Sequence, residues 1–247
     1  MELKLLDLYC GAGGAAMGYF RIGFQPYGID NCPQPHYPFP FLQMDALEAM
    51  DRLLRGEGFT FSNGETLYLS DFAAIHASPP CQYYSRLRHL PWLRNKKYWR
   101  SVPPTREKLM KSNLPFIIEN VEDCWDLPNS IILCGRMFDL PIYRHRRFEA
   151  FPFLLLQPPH QKHTGIIASG RATIAKRYSQ RSSSSVGVIR EISRNTVAGH
   201  IGGVERARLA MGIDWMNQKE ISQAIPPAYT EFTGKYLMGV ARVAKVA

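Results

Sequence analysis

The sequence predicts an α/β fold in which an open sheet presents its chemistry at strand ends. Three stretches carry that expectation. Lys4 to Tyr9 is a strand-like run that breaks into the glycine turn Cys10-Gly11-Ala12-Gly13-Gly14 and then a helical segment, Ala15 to Phe20. Phe72-Ala73-Ala74-Ile75 is a second strand-like run, and Pro79-Pro80 stops it just before Cys81. Pro115 to Val121 is a third apolar strand, ending on Glu119 and Asn120. Strand, glycine turn and helix together make a nucleotide-binding element, because glycine lets a ligand come close to the backbone.

Composition narrows the class. With 247 residues, 45% apolar and 21% charged, the chain suits one sizeable domain and a small second lobe. No apolar run approaches the ~20 residues of a membrane span, so no membrane role is expected. The N-terminal segment enters a strand without a signal-peptide pattern, which predicts a cytoplasmic protein. Cys10, Cys32, Cys81, Cys124 and Cys134 are odd in number and contain no CxxC pair. Neither a disulfide framework nor a zinc or other metal site is therefore expected. A net charge of +9, from 30 Lys and Arg against 21 Asp and Glu, points to a polyanionic partner. Monomer is the default expectation.

Along the chain, Tyr27-Gly28-Ile29-Asp30 reads as the end of a second strand, placed so that Asp30 can accept from ribose hydroxyls. The G-x-G-G spacing lacks the third glycine of the dinucleotide fingerprint, which argues against a nicotinamide cofactor. Asp45 opens a helix running to Arg55; it is either a third-strand acid for an adenine amino group or a helix N-cap. Pro33 to Pro40 is a loop and Gly56 to Gly64 a surface turn. Cys81 has two readings, an inert buried thiol or a nucleophile whose surroundings favour the thiolate.

After Cys81 comes a loop of cations interleaved with aromatics: Arg86, Arg88, Trp92, Arg94, Lys96, Lys97 and Trp99. Such a loop suits phosphates and bases. A helix is expected from Thr105 to Ser112. Glu119, at the end of an apolar strand, either serves a structural hydrogen bond or holds a proton near neutral pH. Over residues 143–149, alternation puts Arg144 and Arg146 on one strand face and His145 and Arg147 on the other. The texture changes from about Phe153. Gln157-Pro158-Pro159-His160 is a break, and Ser182 to Ser185 is low-complexity. Six basic residues from Arg171 to Arg194 stand against the single acid Glu191, with Arg171, Lys176 and Arg177 as candidate polyanion contacts. Val204 to Met211 reads as a helix closed by Gly212, and a final amphipathic helix runs from about Tyr229 to Val243.

These motifs, in this order, resemble the cytosine-C5 DNA methyltransferases, particularly the compact versions of phages and bacteria. Asp7 to Gly14 is similar to the family's cofactor motif, with Tyr9 where phenylalanine is usual. Pro79-Pro80-Cys81-Gln82 is similar to the nucleophile motif and Glu119-Asn120-Val121 to the glutamate motif. Arg144-x-Arg146 fits the twin-arginine motif, with Ile142 where many members have glutamine. Glu205 to Leu209 resembles the helix after the recognition domain. Gln223-Ala224 opens the last motif, where Ile225-Pro226-Pro227 replaces the usual Gly-Asn-Ser. The resemblance covers most of residues 3–152 and 203–234.

That resemblance implies a Rossmann-like methyltransferase fold dependent on S-adenosylmethionine, with a mostly parallel seven-stranded sheet and helices on both faces. It implies a catalytic domain over residues 1–152, a small recognition lobe over 153–202, and a segment over 203–247 returning to the catalytic domain. Cys81, Glu119, Arg144 and Arg146 would be catalytic. Tyr9, Gly11, Gly13, Gly14, Asp30, Asp45 and Pro80 would surround the cofactor. Arg86, Arg88, Arg94, Lys96 and Lys97 would join the lobe in binding duplex DNA, in the DNA-methylation setting of phages and restriction-modification systems. An RNA cytosine methyltransferase and a non-catalytic DNA-binding relative are the alternatives; only the departures at Ile142 and Pro226-Pro227 favour the latter.

Overall fold

The computed structural model describes residues 2–93, 95–163, 166–168, 193–195 and 203–246. Seven strands form the main sheet: β1 (Leu3–Leu8), β2 (Phe24–Asp30), β3 (Phe41–Gln43), β6 (Phe72–Ala77), β7 (Phe116–Val121), β8 (Ser130–Leu133) and β9 (Arg146–Phe151). Their order is β3-β2-β1-β6-β7-β9-β8. All neighbours run parallel except β9, which is antiparallel to both β7 and β8. The short hairpin β4 (Phe59–Thr60) and β5 (Thr66–Leu67) stands apart, as do β10 (Ile166–Ala168) and β11 (Ser193–Asn195). The seven-stranded, mostly parallel sheet is the one the resemblance implies.

Period-two alternation assigns the two faces. Leu6, Leu8, Ile75 and Ile118 point into one core with Met50, Leu53 and Leu109, from α2 (Ala46–Leu54) and α3 (Val102–Lys111). Leu5, Ala74 and Ile117 point the other way, onto Tyr19 of α1 (Gly14–Arg21) and Tyr229 and Leu237 of the last helix. Two short helices, α4 (Val204–Met211) and α5 (Gln218–Gln223), precede that last helix, α6 (Pro227–Val246). The segment after residue 203 thus returns onto the first elements of the chain: α6 packs on α1, and Trp215 Nε1 donates to the Ala12 carbonyl at 2.7 Å.

Several boundaries differ from the sequence expectation for clear reasons. α3 starts at Val102, three residues earlier, because Pro103 and Pro104 sit in its first turn, where a missing N–H costs nothing. The region read as a surface turn over Gly56 to Gly64 contains β4, and Phe59 and Phe61 are buried. The irregular segment containing Arg144 precedes β9, which begins only at Arg146. Ile142, in the family's glutamine position, is fully buried in an apolar cluster with Ala207, Met211 and Ile213. Of the expected recognition lobe, residues 153–163, 166–168 and 193–195 are described; Arg171, Lys176, Arg177 and the serine run lie outside the described residues, as does Arg94.

Candidate active site

The chain order reverses between β1 and β6, the topological switch point where open α/β sheets bind ligands. Leu8 pairs with Ala77 there, so the glycine turn after β1 and the loop carrying Cys81 emerge side by side. One strand over, Ala77 pairs with Ile118, which puts Glu119 at the same edge. β9 runs the other way, so its first residue, Arg146, stands opposite Val121. The antiparallel strand thus brings its start, rather than its end, to the chemistry.

Two side chains fix the loop before Cys81. Asn120 Nδ2 donates to the Pro79 carbonyl and Ser101 Oγ to the Pro80 carbonyl, each at 2.9 Å. The Cys81 carbonyl then accepts from the Tyr84 and Ser85 amides at 3.0 Å. Sequence reasoning gave neither Asn120 nor Ser101 a task; the only signal was the position of Asn120 beside Glu119. The Cys81 thiol is half-buried. Burial pushes its pKa up, Arg146 and Arg144 draw it down, and Glu119 raises it.

Glu119 is buried, and burial raises its pKa against the pull of Arg146, Arg144 and a hydrogen bond from Ser78. Arg146 Nε lies 2.9 Å from Glu119 Oε1 as an ion pair, yet that oxygen has no hydrogen-bond partner among the described residues. The approach is close but poorly aligned, which leaves the carboxyl open to another partner. Because the Glu119 charge raises the thiol pKa, a proton on Glu119 and a thiolate at Cys81 favour each other.

Behind Glu119 lies a buried chain that the sequence did not disclose. Ser78 Oγ is 2.8 Å from His76 Nε2, and His76 Nδ1 is 2.9 Å from the Tyr19 hydroxyl. Burial lowers the His76 pKa to about 3, so the imidazole is neutral. One set of donors satisfies the chain: Tyr19 to Nδ1, Nε2 to Ser78, Ser78 to Glu119. Arg144 is buried; its guanidinium donates to the Ser222 carbonyl at 3.0 Å, and its own carbonyl accepts from Tyr229 Oη. Burial and Arg146 push its pKa down to about 9, so it remains cationic at neutral pH.

The cofactor candidates behave differently from one another. Gly11 has φ +49°, and a Cβ there would meet nothing within 4 Å, so its outer side is open to a ligand. Gly13, at φ +85°, and Gly14 are instead covered by the chain itself. A Cβ would come 2.8 Å from Pro38 Cδ at Gly13 and 2.5 Å from the Ile225 carbonyl at Gly14. Asp30 accepts from the Gly11 amide at 3.0 Å and the Cys32 amide at 2.9 Å, tying the turn to β2. Tyr9, half-buried at φ +57°, bonds Thr105 Oγ1 through its hydroxyl at 2.9 Å. Asp45 caps α2, with Oδ1 accepting from Leu47 and Glu48, which is the N-cap reading. Pro80 is exposed beside Cys81. Below the turn, Asp7 is fully buried, with Oδ1 unpartnered among the described residues. An open glycine face, an acid at the end of the adjacent strand and an unfilled buried acceptor fit a nucleoside-bearing cofactor.

The basic loop is partly neutralised by its own protein. Arg86 pairs with Asp123 at 2.7 Å, and Arg88 bonds the Tyr83 carbonyl and lies over the Tyr83 and Trp125 rings. Lys96, Lys97, Trp92 and Trp99 are exposed.

No protein-family model and no curated protein matches this sequence. Solved structures do. A chain from an Escherichia coli prophage, described as a DNA modification methyltransferase, superposes with a TM-score of 0.55 at 14% identity. That match covers 98% of this chain and 100% of the other. The Dnmt2 methyltransferase of S. pombe matches at a TM-score of 0.49 and 13% identity, over 97% of this chain and 99% of the other. The chain therefore shares the fold of that prophage protein.

Proposed function

We propose that the protein is a DNA cytosine-5 methyltransferase in which Cys81 is the nucleophile. The observation that carries this reading is the convergence of Cys81, Glu119, Arg144 and Arg146 at one sheet edge, beside the open face of Gly11. The target cytosine has to leave the duplex stack, because its C6 is unreachable inside it. The Cys81 thiolate adds to C6, and Glu119 gives a proton or hydrogen bond to N3 and accepts from the exocyclic amine. Arg146 holds O2, and the negative charge developing on the ring meets groups already in place. Arg144 orients this set from its buried position. Addition at C6 makes C5 nucleophilic. S-adenosylmethionine, when bound, supplies an electrophilic methyl group to C5. Loss of the C5 proton to a water molecule acting as base, and then of the Cys81 thiolate, restores the aromatic ring and frees the enzyme.

Gly11, Tyr9 and Asp30 would line the cofactor, with Asp45 reaching adenine only through the oxygen its helix cap leaves over. Gly13 and Gly14 would act indirectly, by letting the turn fold tightly. Lys96, Lys97 and the lobe over 153–202 would follow the DNA backbone. The test is methyl transfer from labelled S-adenosylmethionine to unmethylated duplex DNA, with tRNA as a parallel acceptor and base-resolution sequencing of the product. Methylcytosine in one short DNA context is the expected result. Transfer to tRNA alone would overturn the DNA assignment, and cofactor binding without transfer to either would overturn the catalytic one.

A further inference from the structure

Away from the cleft, four metal-binding side chains meet that are scattered in sequence. Cys134 directly follows β8 and is fully buried; His145 stands between Arg144 and Arg146; His160 and His163 lie in the segment after β9. One donor atom from each lies within 4.8 Å of all the others. Cys134 Sγ is 3.3 Å from His163 Nε2, which is 3.2 Å from His160 Nε2, itself 3.3 Å from His145 Nε2. A tetrahedral zinc ion, with Zn–N about 2.0–2.1 Å and Zn–S about 2.3 Å, sets neighbouring nitrogens about 3.3 Å apart and nitrogen and sulfur about 3.6 Å apart. The three separations lie close to those edges.

The surroundings have the features of a metal's outer shell. His145 Nδ1 is 3.2 Å from Glu122 Oε2, so Nδ1–H donates to a carboxylate and Nε2 keeps its lone pair. The Tyr143 ring stacks on His163 with centroids 4.1 Å apart and planes at 12°, which fixes that imidazole's orientation. Of the nearby cations, Arg136 is engaged with Gln161 Oε1 at 2.8 Å, while Arg146 and Arg86 face His145. Three nitrogens crowded together are poorly explained as hydrogen bonds alone. His160 Nε2 has a ring nitrogen on two sides, and a neutral imidazole nitrogen is either donor or acceptor.

We propose that Cys134, His145, His160 and His163 form a structural zinc site. Mixed thiolate and imidazole donors in tetrahedral array select zinc among common divalent ions. Four protein ligands leave no open position, so the site is structural rather than catalytic. Binding converts the Cys134 thiol to thiolate and releases one proton, leaving a complex of charge +1. The ion would tie the root of the segment leading into the recognition lobe to the residue before Arg146. The absence of a CxxC pair argued against zinc, but sheet topology assembles these donors, not spacing.

The test uses the full chain without an added histidine tag. Metal content is measured as isolated, then the stripped protein is titrated with cobalt(II) and competed with zinc. One zinc per chain is expected, with strong tetrahedral cobalt absorption and a thiolate-to-cobalt charge-transfer band. Cys134→Ser should abolish that band. His160 and His163 are exposed, so His160→Ala and His163→Ala should fold as wild type by circular dichroism. Each should weaken zinc binding by ~100-fold, beyond the ~10-fold expected of Glu122→Gln. A weak octahedral cobalt spectrum, or zinc affinity unchanged in the two histidine variants, would overturn the site.

Discussion

Cys81 and Cys134 both follow strands of one sheet, and burial raises the pKa of both thiols. Their neighbours separate them. Cys81 faces two guanidinium groups, whose positive charge draws its raised pKa back down, and the Glu119 carboxyl. Cys134 faces imidazoles, which offer lone pairs rather than charge and suit a shared cation. On the two proposals, the same side chain serves covalent chemistry in one place and ligation in the other, by which cations and bases surround it.

The sharpest way to break this comparison is Cys81→Ser. It should cut methyl transfer by ~10³-fold or more while calorimetry shows cofactor affinity within about twofold of wild type. Full turnover would mean that the guanidinium setting of Cys81 has no catalytic meaning. Next in size, Glu119→Gln should lower the rate by ~10²–10³-fold. Here the pH profile sharpens the comparison. The raised Cys81 pKa means that thiolate is gained as pH rises, giving a rising limb. The raised Glu119 pKa means that its proton is kept above the usual carboxylate range and lost as pH rises, giving a falling limb. Glu119→Gln should lose the falling limb only, in a kcat/KM profile.

Smaller effects test the scaffolding of the Cys81 side. Asn120→Ala removes the donor to a buried Pro79 carbonyl and should lower stability by ~1–3 kcal/mol in urea unfolding. His76 tests the buried chain behind Glu119. Its folded pKa of about 3 lies below the unfolded value near ~6.5, so the unfolded chain takes the proton first. Its contribution is complete above the unfolded value and is lost as pH falls toward the folded one. Wild type should therefore lose up to about 1.4 kcal/mol more per pH unit than His76→Gln over that window, in parallel thermal or urea melts.

Much of this was readable in the sequence where one signal sufficed. β1, β6 and β7 are apolar runs buried on both faces, and the prolines before Cys81 mark the turn that presents it. Arg144 and Arg146 both lower the Cys81 pKa, though Arg144 stands outside the strand that alternation was expected to give it. What the sequence hid depends on partners far along the chain. β3 and β8 have only three and four residues, too few for periodicity to show. Asp45 left two roles open, and only its bonds to Leu47 and Glu48 reveal the cap. Ser101, His76 and Tyr19 matter through contacts with loops and strands that no local pattern specifies.

The seating of α6 on α1 has a consequence for synthesis. Thr230 bonds the Ala15 carbonyl, Trp215 reaches the Ala12 carbonyl, and the Ile225 carbonyl lies against Gly14. The helix that follows the glycine turn therefore finds part of its cover among residues translated some two hundred positions later. On the ribosome, the first strand and helix must wait with apolar surface exposed until α6 emerges. A nascent chain of this protein would thus lean on chaperones until that late segment appears.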